Sequence, residues 1–194
     1  SVVDYSYEIL IVNDGSDDHT SVIAKKIAAV MKNCKIIDSP DHRGKGAAMR
    51  IGAITAKGTW RLIMEADNSF TIAEFNRVMP LLASDRNTNL IIGSRMHRET
   101  RIDPPLPLSR RIAEYILNLY MRRLFRSHIK DFFLGFQCFS EEAAERIFSL
   151  TRSDSWSAAG EAILLAERLN YRILEVPVTG AYATGSHFRM RDYL

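Results

Sequence analysis

Only two cysteines, Cys34 and Cys138, occur among the 194 residues, far apart and without CxxC or histidine-rich spacing. Their scarcity argues against a disulfide framework and a thiolate zinc site, fits a reducing compartment, and leaves both thiols as expected core residues. No uninterrupted apolar run reaches the roughly 18 to 20 residues that span a bilayer, and no charged-then-apolar leader opens the chain. The piece is therefore expected to be soluble by itself. Internal repeats and low-complexity tracts are absent, so neither a solenoid nor a biased tail is expected. The full GxxxxGK[ST] spacing of a P-loop is missing as well.

What is present is an ordinary globular composition, 46% hydrophobic and 25% charged, sufficient for one sizeable core. A single domain over residues 1–194 is the simplest organisation. The sequence opens on Ser1 rather than Met and enters a core strand pattern almost at once. It is expected to be a fragment of a longer polypeptide whose other parts could be membrane-bound.

The net charge of +3 conceals an asymmetry. Residues 95–130 hold nine basic residues (Arg95, Arg98, Arg101, Arg110, Arg111, Arg122, Arg123, Arg126, Lys130) against three acids, Glu99, Asp103 and Glu114, leaving the remainder at −3. A block of this sign suits phosphates, nucleic acid or an anionic membrane surface, or is simply a solvated helix face. Aromatic residues are not interleaved with the arginines as single-strand binders require, so no nucleic-acid partner is expected.

Periodicity gives a βαβ rhythm: strand 7–13, helix 20–32, strand 34–38, helix 46–56, strand 60–65, helix 72–83 and strand 90–93. This implies a largely parallel sheet with helices on both faces, whose ligands collect at the carboxyl ends of strands. Asp14, Asp67 and Arg95 fall at such ends. A proline-rich loop, Asp103-Pro104-Pro105-Leu106-Pro107, then leads into a long helix from Ser109 to Phe125. Its apolar residues recur at helical spacing between arginine pairs, so it either packs on the sheet or lies on a membrane interface. A strand at 136–139, helices at 141–149 and 160–169 and a strand at 171–178 complete the pattern. The polar tail from Thr179, with Gly185-Ser186-His187-Phe188-Arg189, reads as a flap.

Three motifs carry chemistry. In Glu65-Ala66-Asp67-Asn68-Ser69 two carboxylates follow the apolar run 60–64; the period of two puts them on one side, suited to a hard divalent cation, or to solvent and helix capping. In Asn13-Asp14-Gly15-Ser16-Asp17-Asp18-His19-Thr20 a carboxylate ends a strand and a glycine makes the turn. That turn can hold a base or ribose, or serve only as a cap. His42-Arg43-Gly44-Lys45-Gly46 opens a helix, so backbone N–H groups and cations face an anion, or the glycines merely permit close packing.

The ordered set resembles the inverting glycosyltransferases of family 2, whose domain has the GT-A fold. Asp14-Gly15-Ser16-Asp17-Asp18-His19-Thr20 matches that family's DGSxDxT, Arg43-Gly44-Lys45-Gly46-Ala47-Ala48 its xGKGAA, and Glu65-Ala66-Asp67 its DxD. Gly93-Ser94-Arg95, Ser109-Arg110-Arg111, Asp131 with Gly135-Phe136, Trp156 with Glu161, Glu175-Val176-Pro177-Val178 and Gly185-Ser186 look like the polyprenyl-phosphate hexosyltransferases, among them dolichyl-phosphate glucose and mannose synthases.

The resemblance implies an α/β GT-A fold and transfer of a hexose from UDP-glucose or GDP-mannose to a polyprenyl phosphate. The cytoplasmic face of a membrane is the implied location, with an oligomer possible. A soluble relative acting on a saccharide, or a non-catalytic nucleotide-sugar-binding domain, are the competing readings. By the resemblance, Asp14, Gly15, Ser16 and Lys45 bind the nucleotide sugar, and Glu65 and Asp67, with Ser69, hold Mg²⁺ or Mn²⁺ on its diphosphate. Arg95 with Arg110 or Arg111 grips the acceptor phosphate, and Glu161 orients the sugar or Arg95; Asp67, Arg95 and Glu161 are the catalytic candidates. A lipid phosphate is already an anionic nucleophile, so positioning matters more than a strong base.

The chain departs from the family in three places. Glu65 stands where an aspartate is usual, Gly160 stands where relatives often carry an acid, and the family's first strand is not in the sequence. That strand is expected upstream of Ser1 or from another chain, because without it the 7–13 strand has an open edge.

Overall fold

The computed structural model describes residues 5–67, 69–85 and 87–181, with the side chains of 83 and 84 left aside. Of the tail expected to be a flap from Thr179 onward, residues 179 and 180 instead pair as a short strand with residues 101 and 102, and the part after 181, with Gly185 to Arg189, lies outside the described residues. Strand β1 (Ile9–Asp14) leads through a turn into helix α1 (Thr20–Val30) and strand β2 (Cys34–Ser39), which pairs parallel to β1 with Ile9 opposite Cys34 and Asp14 opposite Ser39. Helix α2 (Lys45–Thr55) packs on β1 and also reaches strand β3 (Trp60–Ile63). After helix α3 (Ile72–Ser84) come strands β4 (Leu90–Gly93) and β5 (Arg101–Ile102) and the long helix α4 (Leu108–Phe125). Strand β6 (Gln137–Ser140), helices α5 (Glu141–Leu150) and α6 (Ala158–Arg168) and strands β7 (Ile173–Val176) and β8 (Thr179–Gly180) finish the chain.

The strands form a four-stranded sheet in the order β3-β6-β4-β7 and two pairs, β1-β2 and β5-β8. The expected largely parallel arrangement holds for three of the five strand pairings, with β6 as the exception. β1-β2, β4-β7 and β5-β8 are parallel, but β6 runs antiparallel to both β3 and β4 in the middle of the larger sheet. The reason is connectivity: β6 enters from the opposite end after α4 and the loop at 126–136, so it is not the product of a βαβ crossover. Among the described residues β1 and β3 are not hydrogen-bonded to each other, and each has one open edge.

Alternation of side chains sorts the apolar residues onto two faces. Leu90, Ile92 and Phe139 pack with Ala143, Ile147 and Phe148 of α5 and Ala162 and Ile163 of α6. Ile91, Phe136 and Cys138 face the other way, onto Phe75 and Val78 of α3. Both cysteines are buried, and burial pushes the Cys138 thiol up to about 12, so it serves as core volume rather than as a nucleophile. The sheet thus has a helix-covered face on each side, and the ends of β3, β4 and β7 and the start of β6 share one rim.

Phe148 is 1% exposed and its ring lies 5.1 Å from that of Phe139, edge to face. Phe148→Ala is expected to cost about 3–5 kcal/mol of stability, measured by urea denaturation; a loss well below that range would mean that α5 does not anchor this layer.

Candidate functional site

The rim begins where β1 ends. Asp14 accepts hydrogen bonds at both carboxylate oxygens, from the backbone N–H of Arg43 (3.0 Å) and of Gly44 (2.7 Å), and His42 Nδ1 lies 2.9 Å from Oδ2. Gly15 has φ +66° and packs so closely on the second loop that a Cβ would fall 2.5 Å from the His42 nitrogen, which is why glycine is needed there. The structure therefore joins the first two motifs directly, although they are separated by α1 and β2. The Arg43 and Gly44 amides meet the Asp14 carboxylate, while Gly46 N–H donates to Asp154 O (2.8 Å). The cause is the parallel register of β1 and β2, which sets Asp14 opposite Ser39 and brings the following loop across it.

Ser16 is exposed but bonds back to β1. Its hydroxyl donates to Asn13 Oδ1 (2.5 Å), and Asn13 Nδ2 donates to Asp38 Oδ1 (2.7 Å). Hydrogen bonds from Asn13, Lys25 and Ser21 hold the Asp38 carboxyl well below the usual carboxylate range.

Lys45 leads from this loop to the third motif: its ammonium pairs with Glu65 and sits over the Trp156 ring, 4.3 Å from the centroid. Glu65 abuts Gly135, where a Cβ would fall 2.6 Å from the carboxyl carbon, so the loop before β6 lies directly against it. Asp67 is exposed and accepts from the Ser69 backbone N–H (2.9 Å); the Ser69 carbonyl in turn accepts from Ala181 N–H (2.9 Å). Among the described residues no group of three His, Cys, Asp or Glu converges as a metal cage. The donor set fits a hard divalent ion as a carboxylate pair, Glu65 and Asp67, that needs phosphate oxygens or water to complete its shell. Lys45 on Glu65 shows that this carboxylate already attracts a cation.

The third cluster forms around Arg95, just beyond β4. Its Nε and Nη2 donate to the two oxygens of Asp131 (both 2.7 Å), its backbone N–H donates to Asp131 Oδ2 (2.9 Å), and Nη1 lies 2.8 Å from Glu114 Oε1. Arg110 Nε donates to that same Glu114 oxygen (3.1 Å). Arg95 and Arg110 are thus brought together; Arg111, exposed and one position further around α4, stands outside that ion-pair cluster. Asp131 is 1% exposed. Burial pushes its pKa up, but the charge and hydrogen bonds of Arg95 outweigh that and hold the carboxyl below its ordinary value.

Glu161 accepts at its carboxylate from the backbone N–H of Arg152 (3.0 Å) and Ser153 (2.9 Å), so it holds the turn before α6. That turn also carries Asp154, which pairs with Arg50 and Arg43, and Trp156. Sequence reasoning gave Glu114 and Asp154 no role. The i,i+4 spacing of Arg110 and Glu114 was the available signal for the first; nothing local pointed to the second.

The family model described as Glycosyl transferase family 2 matches residues 1–148. A dolichyl-phosphate beta-glucosyltransferase of Dictyostelium discoideum is 31% identical over 190 residues, covering 94% of this chain and 57% of that protein. That of Homo sapiens is 28% identical over 188 residues, 94% of this chain and 58% of that protein. The chain therefore spans somewhat more than half the length of these relatives. Uncharacterized protein MJ1222 of Methanocaldococcus jannaschii is 31% identical over 185 residues, covering 93% and 73%. Among solved structures, glucosyl-3-phosphoglycerate synthase from Mycobacterium tuberculosis, in complex with Mn²⁺, UDP and glucosyl-3-phosphoglycerate, aligns at TM-score 0.65 and 15% identity over 89% of this chain and 59% of that one. That likeness establishes the GT-A fold.

The Asp131–Arg95 pair has a pH signature. A folded pKa below the unfolded one contributes stability above the unfolded value, near 3.9, and that contribution is lost as pH falls through the folded value. Asp131→Asn is expected to cost about 3 kcal/mol at neutral pH and to flatten the acid limb of the stability–pH curve. Denaturation midpoints from neutral pH downward check this; an unchanged acid limb would remove Asp131 from the account.

Proposed function

The chain belongs to glycosyl transferase family 2, and on that premise we propose that it performs inverting transfer of a hexose from a nucleotide sugar to a polyprenyl phosphate. The observation that carries the reading is two clusters of opposite sign on one rim, carboxylates at Glu65 and Asp67 and arginines at Arg95 and Arg110, with Gly135 and Asp131 on the single loop between them. The dolichyl-phosphate beta-glucosyltransferases among the relatives support a lipid phosphate as acceptor and favour glucose as the sugar, hence UDP-glucose ahead of GDP-mannose.

In this reading the donor lies along the loops after β1, β2 and β3. Lys45 exchanges Glu65 for a diphosphate oxygen, while Gly15 and Ser16 shape the floor through the Asn13–Asp38 bonds. Glu65 and Asp67, with Ser69, would hold Mg²⁺ or Mn²⁺, which neutralises charge developing on the leaving nucleoside diphosphate. Arg110 and the Nη1 edge of Arg95 take the acceptor phosphate, displacing Glu114, which holds the two guanidinium groups in place until then. Asp131 fixes the far edge of Arg95, so its position does not depend on the acceptor. No added general base is required, since the phosphate oxygen attacks the anomeric carbon as an anion. The reaction is placed at the cytoplasmic face of a membrane. The open edges of β1 and β3 support a further strand there, from this polypeptide or another.

The test is release of nucleoside diphosphate from UDP-glucose or GDP-mannose with dolichyl phosphate, compared with free sugars as acceptors. Turnover is expected only with the lipid phosphate. Asp67→Ala is expected to lower it about a hundredfold or more; equal turnover with sugars, or full activity in Asp67→Ala, would contradict the reading.

A further inference from the structure

Helix α4 is built inside out. The stripe that faces the protein carries Arg110, Glu114 and Asn118, with Glu114 5% and Asn118 2% exposed; Asn118 accepts from the Phe132 backbone N–H (3.0 Å) and Glu114 holds Arg95. Leu117 and Met121 are the partly buried apolar residues on this side. Half a turn round, Leu108, Ile112, Tyr115, Ile116, Leu119 and Tyr120 point outward, with Ile112 51% and Tyr120 59% exposed. At 3.6 residues per turn these six form one continuous stripe about 140° wide. Contiguous exposed apolar surface of this kind marks an interaction face rather than ordinary surface.

The charges beside the stripe identify the occupant. Arg111 and Arg122 flank one edge, Arg123 lies at its C-terminal end and Arg126 just beyond, all exposed and without an ion pair to an acid among the described residues. An apolar stripe rimmed by unneutralised arginines matches a bilayer whose surface is anionic. The two tyrosines suit the headgroup level, with ring in the apolar layer and hydroxyl in the wet one. No described helix is long and apolar enough to cross a membrane, so α4 would lie in the interface plane.

We propose that α4 is a membrane-surface helix, its Leu108-to-Tyr120 stripe seated among the lipids of an anionic bilayer and its arginines on the headgroups. The inference deepens the acceptor reading above: the same helix turns Arg110 and Glu114 inward, so docking its outer face would bring a lipid-borne phosphate to the edge of the Arg95 cluster.

Vesicles free of polyprenyl phosphate separate the two ideas. In co-sedimentation the chain is expected to bind phosphatidylcholine vesicles containing phosphatidylserine and to bind pure phosphatidylcholine weakly. Ile112→Ser with Ile116→Ser and Leu119→Ser is expected to lower binding by about tenfold or more, and Arg122→Gln with Arg123→Gln by about thirtyfold on anionic vesicles only. Circular dichroism of both variants should match the parent. Absence of binding to anionic vesicles, or binding indifferent to both sets, overturns the proposal, as does a parent dimer that the serine variant dissolves, which would make the face a contact between copies. Intact vesicle binding without turnover on dolichyl phosphate would count against the acceptor reading alone.

Discussion

Arg95 divides its guanidinium between two carboxylates from different parts of the chain, Asp131 in the loop before β6 and Glu114 on α4, and the arginine half of the rim follows from that division. Each of these charges is nearly removed from water, where an unpaired ion is costly, so strand β4, the loop and the helix hold one another in place. Lys130 and Asp131 in turn donate their backbone N–H groups to Glu175 Oε1, at 3.0 and 3.2 Å, tying the loop to β7. The arrangement is neutral as a set, two guanidinium groups against two carboxylates. Glu114 is shared by both arginines, whereas Asp131 pairs with Arg95 alone.

The carboxylate half of the rim uses the same device. Asp14 occupies the amides of the loop that follows β2, and Lys45 occupies Glu65. Pairing of these charges within the protein keeps a rim rich in ionisable groups stable by itself.

Much of the fold was legible because hydrophobic periodicity is strong: nearly all helices and strands lie within two or three residues of their predicted bounds. β6 was placed, but its antiparallel direction was not visible, since direction depends on the path of the 126–136 loop and not on local pattern. At the site, the motifs located the rim but not the partners of its residues. Glu161 lay in the expected helix, but its bonds to two backbone N–H groups of the turn before α6 were not visible in the motif. The sequence pattern left α4 either packed on the sheet or lying on a membrane interface; in the structure its apolar stripe is exposed, and Glu114 and Asn118 take the inner side, where Arg95 and the Phe132 amide are their partners.

The central claim is that the Arg95–Arg110 pair takes the acceptor phosphate while Asp131 keeps Arg95 in position. Titration calorimetry with a short-chain polyprenyl phosphate, comparing the parent with Arg110→Ala, addresses it without relying on turnover. Loss of one charge-assisted phosphate contact predicts affinity lower by about tenfold to a hundredfold, with nucleotide-sugar binding unchanged. Equal affinity in the two proteins would place the acceptor phosphate elsewhere and contradict the account.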